Sequence, residues 1–389
     1  MENVKSNTGS ETPGVDEVTA EDYAENLNDN LKSLNRRLKS GAYKPKPVRR
    51  EFIPKGDGRW RPLGIPTIED RIVQESLRSV MEPIYETDFA DPSFGFRPNR
   101  SCHDAIKLVA KQMAPAATSY KHWILDLDIK GYFDNVPHRN LMYVLQDRIR
   151  DDEMLSLIYD ILKSGVVVEG EARKTTSGTP QGGIVSPLLA NIYLNELDQW
   201  IKQWTEKSRN ERYRRRVRGK GSWSYIRYAD DFVIMGSGPK HHAEGMMQKV
   251  DDFVTEELDL TLSDKKTEIV HVQDGVDFLG YRISKDGEKV RKLITKEAKE
   301  DIRAKVRAAT DGETDVSVRS KIRALNAVLR GWSNYFKYAH DSARVFNDLD
   351  SFVWDRLTNW LGRKYEMSVP QVCKHKLDQN HPLTISVIT

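Results

Sequence analysis

The sequence predicts an α+β protein in which strands and helices mix up to about residue 288 and helices alone follow. Three observations predict this. Apolar runs of strand length, such as Trp123–Ile129 and Phe232–Met235, are interleaved with stretches of helical period. From Thr295 onward the chain is helical in period and strand-poor. At 389 residues it exceeds one ordinary core, and two cysteines exclude a disulfide framework or a Cys-rich zinc site.

The elements follow in order. Residues 1–20 are Ser/Thr/Gly/Glu-rich and are expected to be flexible. Tyr23, Leu27, Leu31, Leu34 and Leu38 then recur at helical spacing, with Gly41 as the stop. Val48–Pro54 and Trp60–Ile65 read as strands around the turn Lys55-Gly56-Asp57-Gly58-Arg59. Helices are predicted over Ile68–Tyr85, Cys102–Met113 and Arg139–Leu162, with strands at Trp123–Ile129 and Val166–Val168. After the Gly-rich turn at 178–183, Ser186 suits an N-cap and Pro187 the first helical position. Leu189, Tyr193 and Leu197 then form an apolar stripe that reads as core. Strands Ser222–Arg227 and Phe232–Met235 flank Tyr228-Ala229-Asp230-Asp231. A helix over Ala243–Leu258, strands near Ile269–Val272 and Asp277–Ile283, and helices Lys296–Ala308, Val316–Tyr338 and Ala343–Lys364 complete the chain.

Net charge is +3, from 61 basic and 58 acidic residues, but the signs are segregated. Residues 1–30 hold eight acids against Lys5. Residues 207–227 hold nine basic side chains, Arg214, Arg215 and Arg216 among them, against Glu211. With Tyr213, Trp223 and Tyr225 interleaved, that stretch is either a nucleic-acid contact or a solvated loop. No apolar run approaches the roughly 20 residues of a membrane span, and no signal-peptide pattern follows Met1. A soluble, cytoplasmic protein is expected, with no membrane partner.

The strongest chemical constellation is acidic. Alternation puts Asp126 and Asp128 on one face of a strand, and Asp230-Asp231 occupies a tight connection between two others. Two carboxylates about 4 Å apart repel by about 4 kcal/mol at an effective dielectric near 20, so one is protonated or cations hold the group together. Hard oxygen ligands suit Mg²⁺, and a pair of such ions serves in-line nucleotidyl transfer. Asp-Asp also occurs in ordinary turns, as at Asp151-Asp152 and Asp251-Asp252. Ala-Asp, however, is poor chemistry for a two-residue hairpin, and local rules fail most often at functional sites. Lys55 and Arg61 bracket the other Gly-rich turn, as a triphosphate clamp or as solubilising charges.

Six segments now occur in order: Phe52-Ile53-Pro54-Lys55 with Arg61-Pro62-Leu63-Gly64-Ile65-Pro66-Thr67, Phe94-Gly95-Phe96-Arg97-Pro98, Asp128-Ile129-Lys130-Gly131-Tyr132-Phe133-Asp134, Gly178-Thr179-Pro180-Gln181-Gly182-Gly183-Ile184-Val185-Ser186-Pro187, Tyr228-Ala229-Asp230-Asp231 and Phe278-Leu279-Gly280-Tyr281. Over about Thr12 to Lys364 the chain resembles the reverse transcriptase–maturases encoded by bacterial group II introns, and Arg330-Gly331-Trp332-Ser333-Asn334-Tyr335-Phe336 resembles their thumb, domain X. The resemblance implies a right-hand polymerase: fingers and palm with a ferredoxin-like antiparallel sheet over 21–287, an all-helical thumb over 288–364 and a tail over 365–389.

It also implies roles. Asp128, Asp230 and Asp231 would hold two Mg²⁺ ions, with Lys266 near the triphosphate as a general acid, Lys265 beside it being the other choice. Lys55 and Arg61 would contact the incoming dNTP, Phe133 would act as the sugar gate, and Gln181 and Gly182 would line the nucleotide pocket. Arg97 would touch the template. The implied partners are group II intron RNA or another RNA template, a DNA primer and dNTPs; the oligomeric state is left open. The departures are a short segment before Thr12, about 25 residues after domain X, no Cys/His-rich nuclease module, and a net charge low for the family. The alternatives are a domesticated relative in host defence or repair, and an RNA-binding splicing factor with a vestigial polymerase.

Overall fold

The computed structural model describes residues 2–5, 9, 11–54, 60–114, 121–168, 171–173, 175–179, 182–208, 210–211, 213–214, 218, 221–312 and 314–376. In chain order the elements are helices α1 (Glu2–Lys5), α2 (Ala20–Glu25) and α3 (Leu27–Lys39), strands β1 (Val48–Pro54) and β2 (Trp60–Ile65), helices α4 (Ile68–Tyr85) and α5 (Cys102–Met113), strand β3 (Trp123–Asp128), helices α6 (Tyr132–Asn135), α7 (His138–Gln146) and α8 (Asp152–Lys163), strands β4 (Val166–Val168) and β5 (Glu171–Arg173), and helix α9 (Ser186–Thr205). Strands β6 (Trp223–Tyr228) and β7 (Asp231–Gly236), helix α10 (Lys240–Glu256), strands β8 (Glu268–His271), β9 (Val276–Phe278), β10 (Tyr281–Asp286) and β11 (Lys289–Ile294), and helices α11 (Lys296–Asp311), α12 (Val318–Phe336), α13 (Ser342–Tyr365) and α14 (Val369–Lys376) follow.

The chain divides into two units, one drawn from residues 2–108 and 121–271 and the other from 109–114 and 272–376. In the first, an antiparallel sheet of order β6-β7-β3-β8 places the two most apolar strands at its centre. Leu125 and Leu127 of β3 and Phe232 and Ile234 of β7 are wholly buried in the main core. The Leu189, Tyr193 and Leu197 stripe of α9 belongs to the same core, as its spacing predicts. Each such side chain contributes about 1.5–3 kcal/mol on leaving water. A second sheet of order β2-β1-β4-β5 carries the β1–β2 ribbon, with β1 and β4 parallel.

In the second unit, β11-β10-β9 forms an antiparallel sheet followed by helices. Thr295 and Ser317 cap α11 and α12 through their hydroxyls. Val306, Leu329, Val353, Leu357 and Trp360 make a separate core. This unit starts at Val272, ahead of the change of composition near 288, because its sheet is tied to its helices: Tyr281 OH donates to Tyr335 O (2.6 Å) and Tyr335 OH to Leu279 O (2.8 Å).

Several elements differ from the sequence reading. Helix α1, with Val4 buried, lies in the segment expected to be flexible, and the helix expected from Thr19 to Gly41 breaks at Asn26. Strands β5 and β11 fall where no strand is expected, and three further differences follow. The single helix expected over Arg139–Leu162 is two, since the Asp151 carboxylate caps a fresh start by accepting from Met154 N at 2.9 Å. The strand expected over Asp277–Ile283 turns at Leu279-Gly280, both with positive φ (51° and 77°). Helix α9 starts one residue early: Val185 is its N-cap and Ser186 makes no side-chain cap bond.

Candidate active site

The site grows from the register of β3 and β7. Asp128 ends β3 directly opposite Asp231, the first residue of β7. Tyr228 pairs Asp231 across the β6–β7 hairpin, so Ala229 and Asp230 alone make the turn. Ala229 takes up the left-handed conformation this tight turn needs, at φ 56°, a strain of about 1–2 kcal/mol for a residue with a Cβ.

Buried neighbours hold that strained turn. Arg227, with no exposed side-chain surface, donates from Nη1 to Ala229 O (2.9 Å) and to Asn191 Oδ1 (3.0 Å). Its Nε and Nη2 grip the equally buried Asp198 at 2.8 and 2.5 Å, and Tyr225 OH donates to the same carboxylate at 2.7 Å. Asn191 Nδ2 donates to Gly95 O at 2.7 Å, bringing the Phe94-Gly95-Phe96 loop against the turn. A Cβ on Gly95 would collide with Ala229 N, which is why glycine stands there.

Burial, and then the charges of Asp126, Asp128 and Asp230, push the Asp231 carboxyl well above the usual range. Burial and then Asp128 raise Asp230, against the pull of Lys266 and Arg61. Lys266 Nζ donates to Asp128 Oδ1 at 2.9 Å. The turn holding it is docked on β3 by Ser263 N donating to Asp128 O (2.8 Å) and closed by Lys266 N donating to Ser263 O (3.0 Å). Burial works against the ammonium, but Asp128, Asp231 and Asp230 outweigh it and its pKa is raised.

The trio Asp128, Asp230 and Asp231 thus comes together, but not as a closed cage: among the described residues, no group of three or more His, Cys, Asp or Glu side chains is gathered as a metal site. The donor set nonetheless fits Mg²⁺. It is all hard carboxylate oxygen, its members repel one another, and Mg²⁺ is commonly held by one or two carboxylates with waters and substrate phosphates completing the shell.

The other predicted residues divide. Arg61 lies on β2 opposite Ile53, exposed, and its charge reaches Asp230. Phe133 is half-buried, with Phe96 (6.1 Å, perpendicular) and Tyr132 (5.7 Å) against its ring. Its carbonyl accepts from Thr179 N at 2.7 Å. Gly182 has φ 106°, and a Cβ there would strike Gly64 O of β2. Lys55, Gln181, Arg215 and Arg216 lie outside the described residues, while Arg214 is exposed.

Two readings are corrected. Arg97 is not free to touch a template: its side chain is 2% exposed, donates to Glu86 (2.6 Å) and to the carbonyls of Ala90 (2.7 Å) and Ser93 (2.8 Å), and lies over the Phe89 ring. It positions the loop that carries Gly95. Within 207–227, Trp223, Tyr225 and Arg227 are buried in the sheet, leaving Tyr213 as the exposed aromatic. Sequence reasoning missed Asp198, Asn191 and Arg227 as supports of the turn. The available signals were an acid on an otherwise apolar helix face and an arginine inside an apolar strand.

Residues 53–283 match the family model described as reverse transcriptase (RNA-dependent DNA polymerase), and residues 299–377 match the maturase-specific domain of group II introns. The chain belongs to the reverse transcriptase family. Within it, the added maturase domain marks the group II intron-encoded reverse transcriptase/maturase type. Relatives include Protein YkfC of Escherichia coli strain K12, 40% identical over 72% of this chain and 77% of that protein. The group II intron-encoded protein LtrA of Lactococcus lactis subsp. cremoris is 36% identical over 72% of this chain and 54% of its own length. A putative COX1/OXI3 intron 2 protein of Saccharomyces cerevisiae is 30% identical over 72% and 36%. The chain thus spans about three quarters of the first relative and about half or less of the other two. No described helix is long and apolar enough to cross a membrane.

Proposed function

We propose that the chain copies an RNA template into DNA, extending a DNA primer with dNTPs at Asp128, Asp230 and Asp231, and that it binds group II intron RNA and assists its splicing in the cytoplasm. The observation that carries the reading is the meeting of Asp128 and Asp231 across two central strands, with Asp230 in the strained turn and Lys266 bonded to Asp128.

Two Mg²⁺ ions bound by the three carboxylates would polarise the α-phosphate and favour ionisation of the primer hydroxyl. The primer O3′–Pα bond forms as the bond from Pα to pyrophosphate breaks, and the proton of the primer hydroxyl passes to water. Lys266, kept protonated by its acidic neighbours, would give a proton to the departing pyrophosphate. Arg61 and Lys55 hold the triphosphate, while Gln181 and Gly182 line the nucleotide pocket. Phe133, packed against the rings of Phe96 and Tyr132, acts as the gate that excludes a ribose 2′-OH. Arg214, Arg215 and Arg216 contact nucleic-acid phosphate.

Incubation with an RNA template, an annealed DNA primer, dNTPs and Mg²⁺ tests the reading. Extension to the template end is expected, and no product across a range of Mg²⁺ concentrations would overturn it.

A further inference from the structure

Helix α4 starts almost directly after β2, and its first turns hold pieces of chain far apart in sequence. Thr67 caps it, the hydroxyl accepting from Asp70 N at 3.2 Å. The buried Arg71 donates from Nε to Pro66 O (3.0 Å), just past β2, and from Nη1 and Nη2 to Gly9 O (2.9 Å) and Thr12 O (2.5 Å). Gln74 follows on the same helix face and is only 4% exposed. Its Oε1 accepts from Ile184 N at 2.8 Å, so the side chain of α4 reaches the Gly-rich turn that precedes α9.

That turn has little else to fix it. Gly182 and Gly183 bring no side chain to pack, and glycine loses the most conformational freedom of any residue on being ordered. Gly182 meets β2 at Gly64 O, and a cavity of about 160 Å³ beside it has Leu63, Gly64, Gly182 and Ile184 in its wall. Packing therefore does not hold the turn on every side. Among the described residues, the bond to Gln74 is the one hydrogen bond that the N–H groups of 182–184 donate. A buried N–H left without an acceptor is costly, so the turn stays where Gln74 is.

We infer that Gln74 is a positioning residue for the incoming dNTP. It acts through the backbone of the turn and touches no substrate itself. Arg71 ties the helix to the end of β2, the strand that carries Arg61, and Gln74 ties it to the turn that carries Gly182. One helix face thus sets the lining of the nucleotide pocket against the strand of the triphosphate clamp. The inference rests on the proposed nucleotide pocket and adds the residue that holds it in place. Without the bond, the turn keeps its pocket conformation for only part of the time, and apparent dNTP affinity falls by that fraction. The complex that reacts is the same once dNTP is bound, so the maximal rate is preserved.

The test uses the full chain with an RNA template and a DNA primer and reads dNTP affinity in two ways. One is the half-saturating dNTP concentration in single-turnover extension. The other is the Kd for the next dNTP on a dideoxy-terminated primer, where no bond can form. Gln74→Met, similar in size but without the acceptor, should raise both about tenfold and leave the maximal rate and primer–template affinity unchanged. Gln74→Asn, too short to reach Ile184, should do the same. Gln74→Glu keeps an acceptor at the same reach, one turn from Arg71, and should bind dNTP as wild type does. Ile158→Val, a core change on α8, controls for simple loss of stability: it should lower the melting temperature and leave dNTP affinity alone. Unchanged dNTP affinity in the Met and Asn variants, a lost maximal rate at unchanged affinity, or an equal weakening by Ile158→Val would overturn the inference. So would a Glu variant as weak as the Met variant. The dideoxy measurement needs no chemistry, so a wild type that binds dNTP but fails to extend contradicts the polymerase reading alone. A wild type that binds no dNTP contradicts both.

Discussion

Asp231 illustrates what one residue can carry. Its strand register brings it opposite Asp128, and its burial opposes its own charge. A carboxyl whose pKa is raised by folding holds a proton that the unfolded chain releases above a pH of about 4. Stability in metal-free buffer therefore falls as pH rises from there through the raised value, and the loss persists at neutral pH. Asp231→Asn should accordingly melt higher than wild type at pH 7 without metal, by about 2–4 °C per kcal/mol relieved. Mg²⁺ should raise the wild-type melting temperature and leave the variant's unchanged. Calorimetric scans with and without Mg²⁺ check both, and a variant melting below wild type in metal-free buffer contradicts the electrostatic account. The acids were legible in sequence because alternation along β3 and two apolar strands around Asp230 leave few places for them. Arg97 and Arg227 were not: composition counts a guanidinium as surface charge, whereas both turn inward to a carboxylate and to carbonyls.

At the scale of elements, the β6–β7 hairpin is held by a helix rather than by its own turn chemistry. Asp198 and Asn191 of α9 reach Arg227, and Arg227 reaches Ala229 O. Removing one member of a buried ion pair leaves a charge in the core, at a cost of about 3–5 kcal/mol. Asp198→Ala should lower stability to chemical denaturation by about that amount, and adding Arg227→Met should recover stability but not the turn's geometry or activity. Equal stability of wild type and Asp198→Ala would show that the pair does not hold the hairpin. Most helices and central strands could be read from periodicity, since a buried face repeats whatever surrounds it. The break between α7 and α8 rests instead on one cap at Asp151, and the turn at Leu279-Gly280 on two left-handed residues inside an apolar run. Neither interrupts hydrophobic period enough to be seen without coordinates.

For the molecule as a whole, the near-neutral total conceals a basic segment at 207–227 within a chain that opens acidic. Each phosphate neutralised releases counterions, so the salt dependence of RNA binding counts the cations engaged. Replacing Arg214, Arg215 and Arg216 with glutamine should lower the slope of log affinity against log salt by about 2 on single-stranded RNA. An unchanged slope would place the segment away from the nucleic-acid path.

If Asp128, Asp230 and Asp231 act together on one phosphate, nucleotide addition needs all three. Single-turnover addition of one dNTP to an RNA-templated DNA primer in Mg²⁺ tests it most directly, with Asp128→Asn, Asp230→Asn and Asp231→Asn assayed separately and primer–template binding measured alongside. Each variant should bind the duplex as wild type does and lose nucleotide addition to background. Wild-type addition by any one of the three would contradict it.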